Sequence, residues 1–319
     1  MTSTVASYAC LLDRVPEDRA VSPERVDLAP ILGGWSNTNL STWGISRAEL
    51  VQQDGGVALH IVAADPVAEP HDWGRVPVDR VFTDGPGSNH ACGYTAAFDL
   101  GHARTRIQGN TSHGLSVIAA STVFTDGSGR LSYLSREFYD RRPAPTTPAR
   151  AVAGGTTGPT GLAVARGDDR LPMLADAGID PAPLLCRWRN TDESPSGIAE
   201  IRCELRDGRL TVRVVAVGPD GPIDWGEAPA TVYTDLSSTG GGRAAADPVT
   251  DGRPTPHYAD ISTTDSGPAF EVTYDHGFQL VRLQARSYLG VLVVPVFTEF
   301  TDGRGRADYY RREVFVRGD

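Results

Sequence analysis

The chain repeats itself, and this restricts its fold more than any other feature of the sequence. Val26-Asp-Leu-Ala-Pro-Ile-Leu-Gly-Gly-Trp35 aligns with Ile179-Asp-Pro-Ala-Pro-Leu-Leu-Cys-Arg-Trp188. The match runs on through Asn37-Thr38 with Asn190-Thr191, Asp54-Gly55 with Asp207-Gly208, and Asp72-Trp73-Gly74 with Asp224-Trp225-Gly226. Residues 98–141 then align without a gap on 274–317, sharing Phe124-Thr-Asp-Gly127, Gly129-Arg130, Tyr133 and Arg136-Glu137 with Phe300-Thr-Asp-Gly303, Gly305-Arg306, Tyr309 and Arg312-Glu313. Similarity at a long fixed period means one structural unit used twice, and 319 residues suit two domains better than one. The expected organisation is an N-terminal extension (1–25), copy 1 (26–142), a Pro/Gly/Ala-rich linker (143–178) and copy 2 (179–319) with an insertion at 236–269.

Inside each copy the pattern is that of an antiparallel meander. Asp54-Gly55, Asp207-Gly208, Asp126-Gly127 and Asp302-Gly303 read as hairpin turns between β-branched and apolar runs. Val57, Leu59, Ile61 and Ala63 alternate with Ala58, His60 and Val62, which turns His60 away from the better apolar face. No helical period interrupts either copy. The expected fold is all-β: two tandem antiparallel up-and-down β-barrels of about eight strands each, since closure leaves no sheet edge to protect. The linker is too poor in large apolar residues to fold alone, and the insertion has the length of a lid or a disordered loop.

Composition removes several function classes. The formal charge is -10 with pI near 5.2, and no basic run offers a phosphate backbone its electrostatic footprint, so no nucleic-acid partner is expected. All 30 basic residues are arginine, as in a GC-rich genome, and this excludes a lysine Schiff base or general base. Met1 to Pro30 is charged throughout and lacks the apolar region of a signal peptide, so a cytoplasmic location is expected. No stretch reaches the roughly 20 apolar residues of a membrane helix, so no membrane partner is expected either. Cys10, Cys92, Cys186 and Cys203 lack the spacing of a zinc site. The seven histidines occur singly, which argues against a metal. Phosphate-cradling, dinucleotide and nucleophile-elbow motifs are missing, so no cofactor is expected.

Trp35 stands in Gly34-Trp35-Ser36-Asn37, Trp188 in Arg187-Trp188-Arg189-Asn190, and each copy closes on a strand in which Arg136 or Arg312 sits between apolar residues. This resembles the calycin pattern of lipocalin-like and avidin-like barrels. The resemblance implies that Trp35 with Arg136, and Trp188 with Arg312, close the barrel bottoms, and that a barrel interior holds a small molecule. Copy 2 departs from the pattern in having Cys186 where copy 1 has Gly33.

Asp72-Trp73-Gly74 and Asp224-Trp225-Gly226 admit two readings: pocket wall plus polar anchor, or a turn whose Trp plugs the barrel end. His71 precedes only the first. On the strand 114–124, Ser116, Ala119, Ala120 and Ser121 stand where copy 2 has Leu292, Pro295, Val296 and Phe297. Copy 1 is therefore expected to be the roomier barrel and to hold the ligand, with Ser116, Ala120 and Thr122 among its contacts and copy 2 filled. Arg106 and Gln108, repeated as Arg282 and Gln284, fall on the polar side of their strands and read as a solvated outer face. The expected function is a small-molecule pocket protein, either a cofactor-independent cyclase or isomerase acting on an apolar intermediate by shape and orientation, or a non-catalytic avidin-like or lectin-like binder.

Overall fold

The computed structural model describes residues 8–15, 19–141, 150–151, 156–157, 161–170, 178–236, 266–288 and 290–318. Copy 1 contributes β1 (Gly33–Asn37), β2 (Ile45–Gln53), β3 (Gly56–Ala63), β4 (His71–Pro77), β5 (Arg80–Thr83), β6 (Ala91–Asp99), β7 (Ala103–Ser112), β8 (Leu115–Phe124) and β9 (Tyr133–Asp140). Three two-residue strands follow, β10 (Arg150–Ala151), β11 (Thr156–Thr157) and β12 (Ala163–Val164). Copy 2 contributes β13 (Arg187–Asn190), β14 (Ile198–Arg206), β15 (Arg209–Gly218), β16 (Gly221–Pro229), β17 (Thr231–Asp235), β18 (Ser266–Asp275), β19 (Gln279–Tyr288), β20 (Val291–Phe300) and β21 (Tyr309–Arg317).

The fold is all-β, and the barrel closes through ten strands drawn equally from both copies. β5 to β9 pair in sequence, and β9 then runs parallel to β17, with Tyr133 opposite Thr234. β17 to β21 pair in sequence, and β21 returns parallel to β5, with Tyr309 opposite Thr83. Five antiparallel strands begin and end in the same direction, so both seams are parallel and the ring repeats after half a turn about its own axis. The remaining main strands form two wings, β1 to β4 leaving the ring at β9 and β13 to β16 leaving it at β21. Separate closure of each copy would need ladders between β4 and β5 and between β16 and β17. Neither occurs among the described residues, because both edges of β5 are taken by β6 and β21, and those of β17 by β18 and β9.

Alternation sends one side of each strand into its own copy. Trp35, Leu59, Tyr94, Ile107, Ile118 and Tyr139 pack together in copy 1, as do Trp188, Val212, Phe270, Leu283, Val294 and Phe315 in copy 2. The other side of β5–β9 and β17–β21 lines the ring. That corrects the expected solvated face: Gln108 is 2% exposed and Gln284 4%, because the polar sides of the two copies face one another. Apolar side chains staple the two seams, Phe82, Cys92, Phe297 and Tyr310 at one and Leu134, Tyr233 and Ala269 at the other.

Asp54-Gly55 and Asp207-Gly208 are tight turns with φ of 49° and 81°, and 51° and 74°, where glycine carries the left-handed conformation without a Cβ clash. Asp126-Gly127 is no two-residue turn. It lies in the long β8–β9 connection, where the Asp126 carboxylate accepts from Ser128 N at 3.0 Å and pairs with Arg130 at 2.6 Å.

Two straps exchange between the copies. Residues 8–15, which precede copy 1, dock on copy 2: Trp225 Nε1 donates to Ala9 O (2.8 Å), Gln279 Nε2 to Asp13 (3.1 Å), and the Tyr309 hydroxyl to Asp13. Residues 163–170, which precede copy 2, dock on copy 1: Trp73 Nε1 donates to Ala165 O (2.8 Å) and the Tyr133 hydroxyl to Asp169 Oδ1 (2.6 Å). The linker therefore buries more than its composition suggested. Val164, Ala165, Arg166, Asp168 and Asp169 are all buried. The rest of the expected insertion, 237–265, lies outside the described residues.

Candidate binding cleft at one mouth of the ring

The expected site residues do not converge. Trp73 and Trp225 clamp the straps through their indole nitrogens and pack edge-on against Phe98 and Tyr274, each at 5.3 Å between centroids. Asp72 and Asp224 shape a bulge in β4 and β16, each accepting from the glycine two residues on, Gly74 N at 2.8 Å and Gly226 N at 2.9 Å. Asp72 also binds His60 (2.6 Å), while His71 turns inward to Asp65 (3.0 Å), so the neighbours His71 and Asp72 serve opposite faces.

The tryptophans are stacked by arginines, but by different ones from those expected. Arg141 lies 4.7 Å from the Trp35 ring centroid and donates to Pro30 O (2.7 Å), and Arg317 lies 5.6 Å from Trp188 and donates to Pro183 O (2.9 Å). Trp35 and Trp188 are fully buried, each in the apolar cluster of its own copy. Arg136 and Arg312 have the opposite parity to Tyr139 and Phe315 and turn into the ring instead.

The interior of copy 1, the expected ligand site, receives the chain's own strap. Arg166 enters it and donates to the Tyr133 hydroxyl (2.6 Å), Ser135 Oγ (3.2 Å) and Thr122 Oγ1 (2.8 Å). Ala120 packs in the apolar cluster opposite Ile107, and Ser116 sits by the buried Tyr94 hydroxyl. Burial is the main force on the Tyr133 hydroxyl and pushes its pKa up, although Arg166 pulls the other way. Asp169 is held low by His102 (3.4 Å), Arg166 and Tyr133 against the cost of its own burial.

An open cleft of about 660 Å³ lies elsewhere, at one mouth of the ring between β6–β8 and β17–β19. Its polar lining includes Arg104, Arg106, Ser121, Tyr233, Glu271 and Arg282, beside apolar surface from Ala97, Phe98 and Val123. The half-turn partner of this place is closed. There Phe297 replaces Ser121, Phe82 replaces Tyr233 and Tyr310 replaces Leu134, and the three aromatics pack with centroids 5.1 Å apart along the chain Phe82, Phe297, Tyr310. A serine in place of a phenylalanine thus opens one of two equivalent positions.

Glu271 organises the cleft. Its Oε1 accepts from Ser121 Oγ (3.1 Å) and Gln284 Nε2 (2.9 Å), and its Oε2 from the Tyr233 hydroxyl (3.3 Å). Burial raises the Tyr233 hydroxyl well above the usual phenol range, and the Glu271 charge adds to the shift. Across the ring, β7 and β19 place Arg106 and Arg282 at equivalent positions. Arg282 donates to Glu299 (3.4 Å), and burial, reinforced by the like charge of Arg106, lowers its pKa. Arg106 is exposed to the cleft and has no carboxylate within ion-pair reach among the described residues. Two facing guanidiniums beside an apolar wall suit an organic anion.

Arg106, Ser121, Tyr233, Glu271 and Arg282 were not read as site residues from the sequence. The signal was present in Arg106-x-Gln108 recurring as Arg282-x-Gln284, since a solvated surface gives no reason to keep the same pair in both copies. Among the described residues no three His, Cys, Asp or Glu side chains converge as a metal ligand set. No helix there is long and apolar enough to cross a membrane.

No family model matches the chain, and no curated protein matches it. Among solved structures, the crystal structure of the LG1-3 region of the laminin alpha2 chain is similar at 10% sequence identity, over 89% of this chain and 53% of that one, with a TM-score of 0.12. This chain spans about half the length of that one.

Proposed function

We propose that the chain binds a small organic anion with an apolar body in the cleft at the ring mouth. The observation that carries this is Arg106, a guanidinium facing Arg282 across the ring with no carboxylate in reach among the described residues. An anionic group bound there would relieve the repulsion between the two arginines, while Ala97, Phe98 and Val123 take the apolar body. Cyclisation or isomerisation without a cofactor is a second reading. It is favoured by the Tyr233 hydroxyl and Glu271 carboxylate, a proton donor and acceptor joined at 3.3 Å inside the same cleft. A binder is the simpler reading, because three donors already occupy that carboxylate.

We also read the two copies as tandem barrel units of calycin-like ancestry that have fused into one ring. The support is the recurrence of the Trp–Arg stack, Trp35 with Arg141 and Trp188 with Arg317, in both.

Calorimetric titration of the full chain with phenyl-substituted monocarboxylates and their neutral amides tests the binding reading. Saturable heat for acids alone, lost in Arg106→Gln, is expected; equal binding of the amides would overturn it. Native mass spectrometry of the bound species then separates retention of an unaltered ligand from formation of an isomer.

A further inference from the structure

We propose that the opposite end of the ring holds a second anion site, formed by Arg136, Arg286 and Arg312 and suited to a phosphoryl dianion, either inorganic phosphate or a phosphate monoester. The three arginines come from β9, β19 and β21, and their side chains turn into the same end of the ring. Arg286 is 8% exposed, and its nearest carboxylate among the described residues, Asp235, stands 3.9 Å away, beyond hydrogen-bond distance. Its Nη1 is buried with no hydrogen-bond partner. Among the described residues neither Arg136 nor Arg312 has a carboxylate within ion-pair reach.

A second observation points into the same place. Gln108 is 2% exposed, yet both its amide oxygen and its amide nitrogen lack a hydrogen-bond partner. The register puts Gln108 opposite Ala119 and Ala119 opposite Arg136, all on the ring side, so the amide and the guanidinium stand at one level of the ring with a small side chain on the strand between them. The Tyr310 hydroxyl, two residues from Arg312 on the same side of β21, is also buried and unpartnered. Buried polar groups are nearly always satisfied, and an unsatisfied set gathered at one end of the ring is explained by a ligand that brings acceptors and donors with it.

Charge sets the ligand class. Among the described residues three guanidiniums share this end of the ring with the Asp235 carboxylate, and burial, with the like charges of Arg286 and Arg312, lowers the Arg136 pKa to about 10. A dianion balances the excess, and a tetrahedral phosphoryl group offers enough oxygens to meet several guanidinium forks at once. The half-turn symmetry explains why the site is single. Arg286 has Asn110 as its counterpart and Ala119 has Pro295, so the equivalent place around Arg312 and Gln284 lacks the third arginine and carries a bulkier residue where Ala119 stands.

The test is calorimetric titration of the full chain with sodium phosphate, and separately with phenyl phosphate, at constant ionic strength held with sodium chloride. Saturable binding of one or both is expected, weakened at least 10-fold in Arg136→Gln and in Arg312→Gln and unchanged in Arg106→Gln, which touches only the mouth cleft. Arg312 is exposed, so its variant keeps the fold, and an unchanged melting temperature checks this. Preference for inorganic phosphate or for the ester identifies the source. Absence of saturable binding in the unsubstituted chain, full binding in Arg312→Gln, or loss of binding in Arg106→Gln would overturn the proposal; the last result would place the anion in the mouth cleft and leave that reading standing.

Discussion

Arg166 and Cys10 occupy the same position in the two exchanged straps, yet only one of them is an arginine. In copy 1 the strap's Arg166 reaches the Tyr133 hydroxyl at 2.6 Å, whereas in copy 2 the strand's Arg311 reaches the Tyr309 hydroxyl at 2.7 Å and Cys10 merely sits beside it. Ser135 is the counterpart of Arg311. One guanidinium has therefore been kept at each place while changing the element that supplies it, which marks the buried Tyr–Arg–Asp group as a structural requirement of both copies.

That exchange can be tested by moving it. Arg166→Cys alone is expected to cost about 3–5 kcal/mol in urea unfolding, since it leaves the buried Asp169 carboxylate without the guanidinium that offsets its charge. Adding Ser135→Arg, which rebuilds the arrangement of copy 2, should restore a large part of the loss. Strict additivity of the two substitutions would contradict the equivalence.

Filling the cleft should separate binding from folding. Ser121→Phe copies Phe297 and is expected to abolish organic-anion binding while costing about 1 kcal/mol of stability, the hydrogen bond that Ser121 gives Glu271, because the new ring has the cleft to fill. Ala120→Phe, one residue away but packed inside copy 1, should instead destabilise by about 1–3 kcal/mol through overpacking. Thermal melts with titrations of both variants decide it.

The strap on copy 1 should be loosened by removing a single hydrogen bond. Trp73→Phe keeps an aromatic ring against Phe98 but loses the indole donor to Ala165 O, leaving a buried carbonyl unpaired at a cost of about 1–3 kcal/mol. Limited proteolysis of the unsubstituted chain should spare residues 163–170, and the variant should be cut there first.

Two carboxylates give opposite pH signatures. Asp65, bound by His71 and Arg170 strongly enough to outweigh its burial, has its pKa lowered from 3.8 to about 2. Its stabilising contribution is complete above the unfolded value and is lost as pH falls through about 2. Asp308 is pushed up from 3.8 to about 6 by burial, so the folded state binds its proton first. That group disfavours folding above about pH 6, and stability is gained as pH falls from 6 towards 4. Chemical denaturation between pH 4 and 7.5 should show this gain in the unsubstituted chain and lose it in Asp308→Asn; an identical slope in the variant would refute the assignment.

Much of this molecule was legible in the sequence for a physical reason: strand alternation, turn chemistry and internal repetition are local. They located Trp35 and Trp188 in the cores and set His60 outward. They also predicted the tight turns at Asp54-Gly55 and Asp207-Gly208. Local patterning says only that Arg106, Gln108, Arg136 and Arg312 avoid their own apolar core; it does not say what they meet instead. That was decided by the tertiary structure, where two parallel seams turn the polar sides of both copies into the interior of one ring. The straps follow the same logic. Arg166 and Asp169 read as linker because their partners Tyr133 and His102 lie in the preceding copy, and burial of such charges depends on partners that only folding brings together.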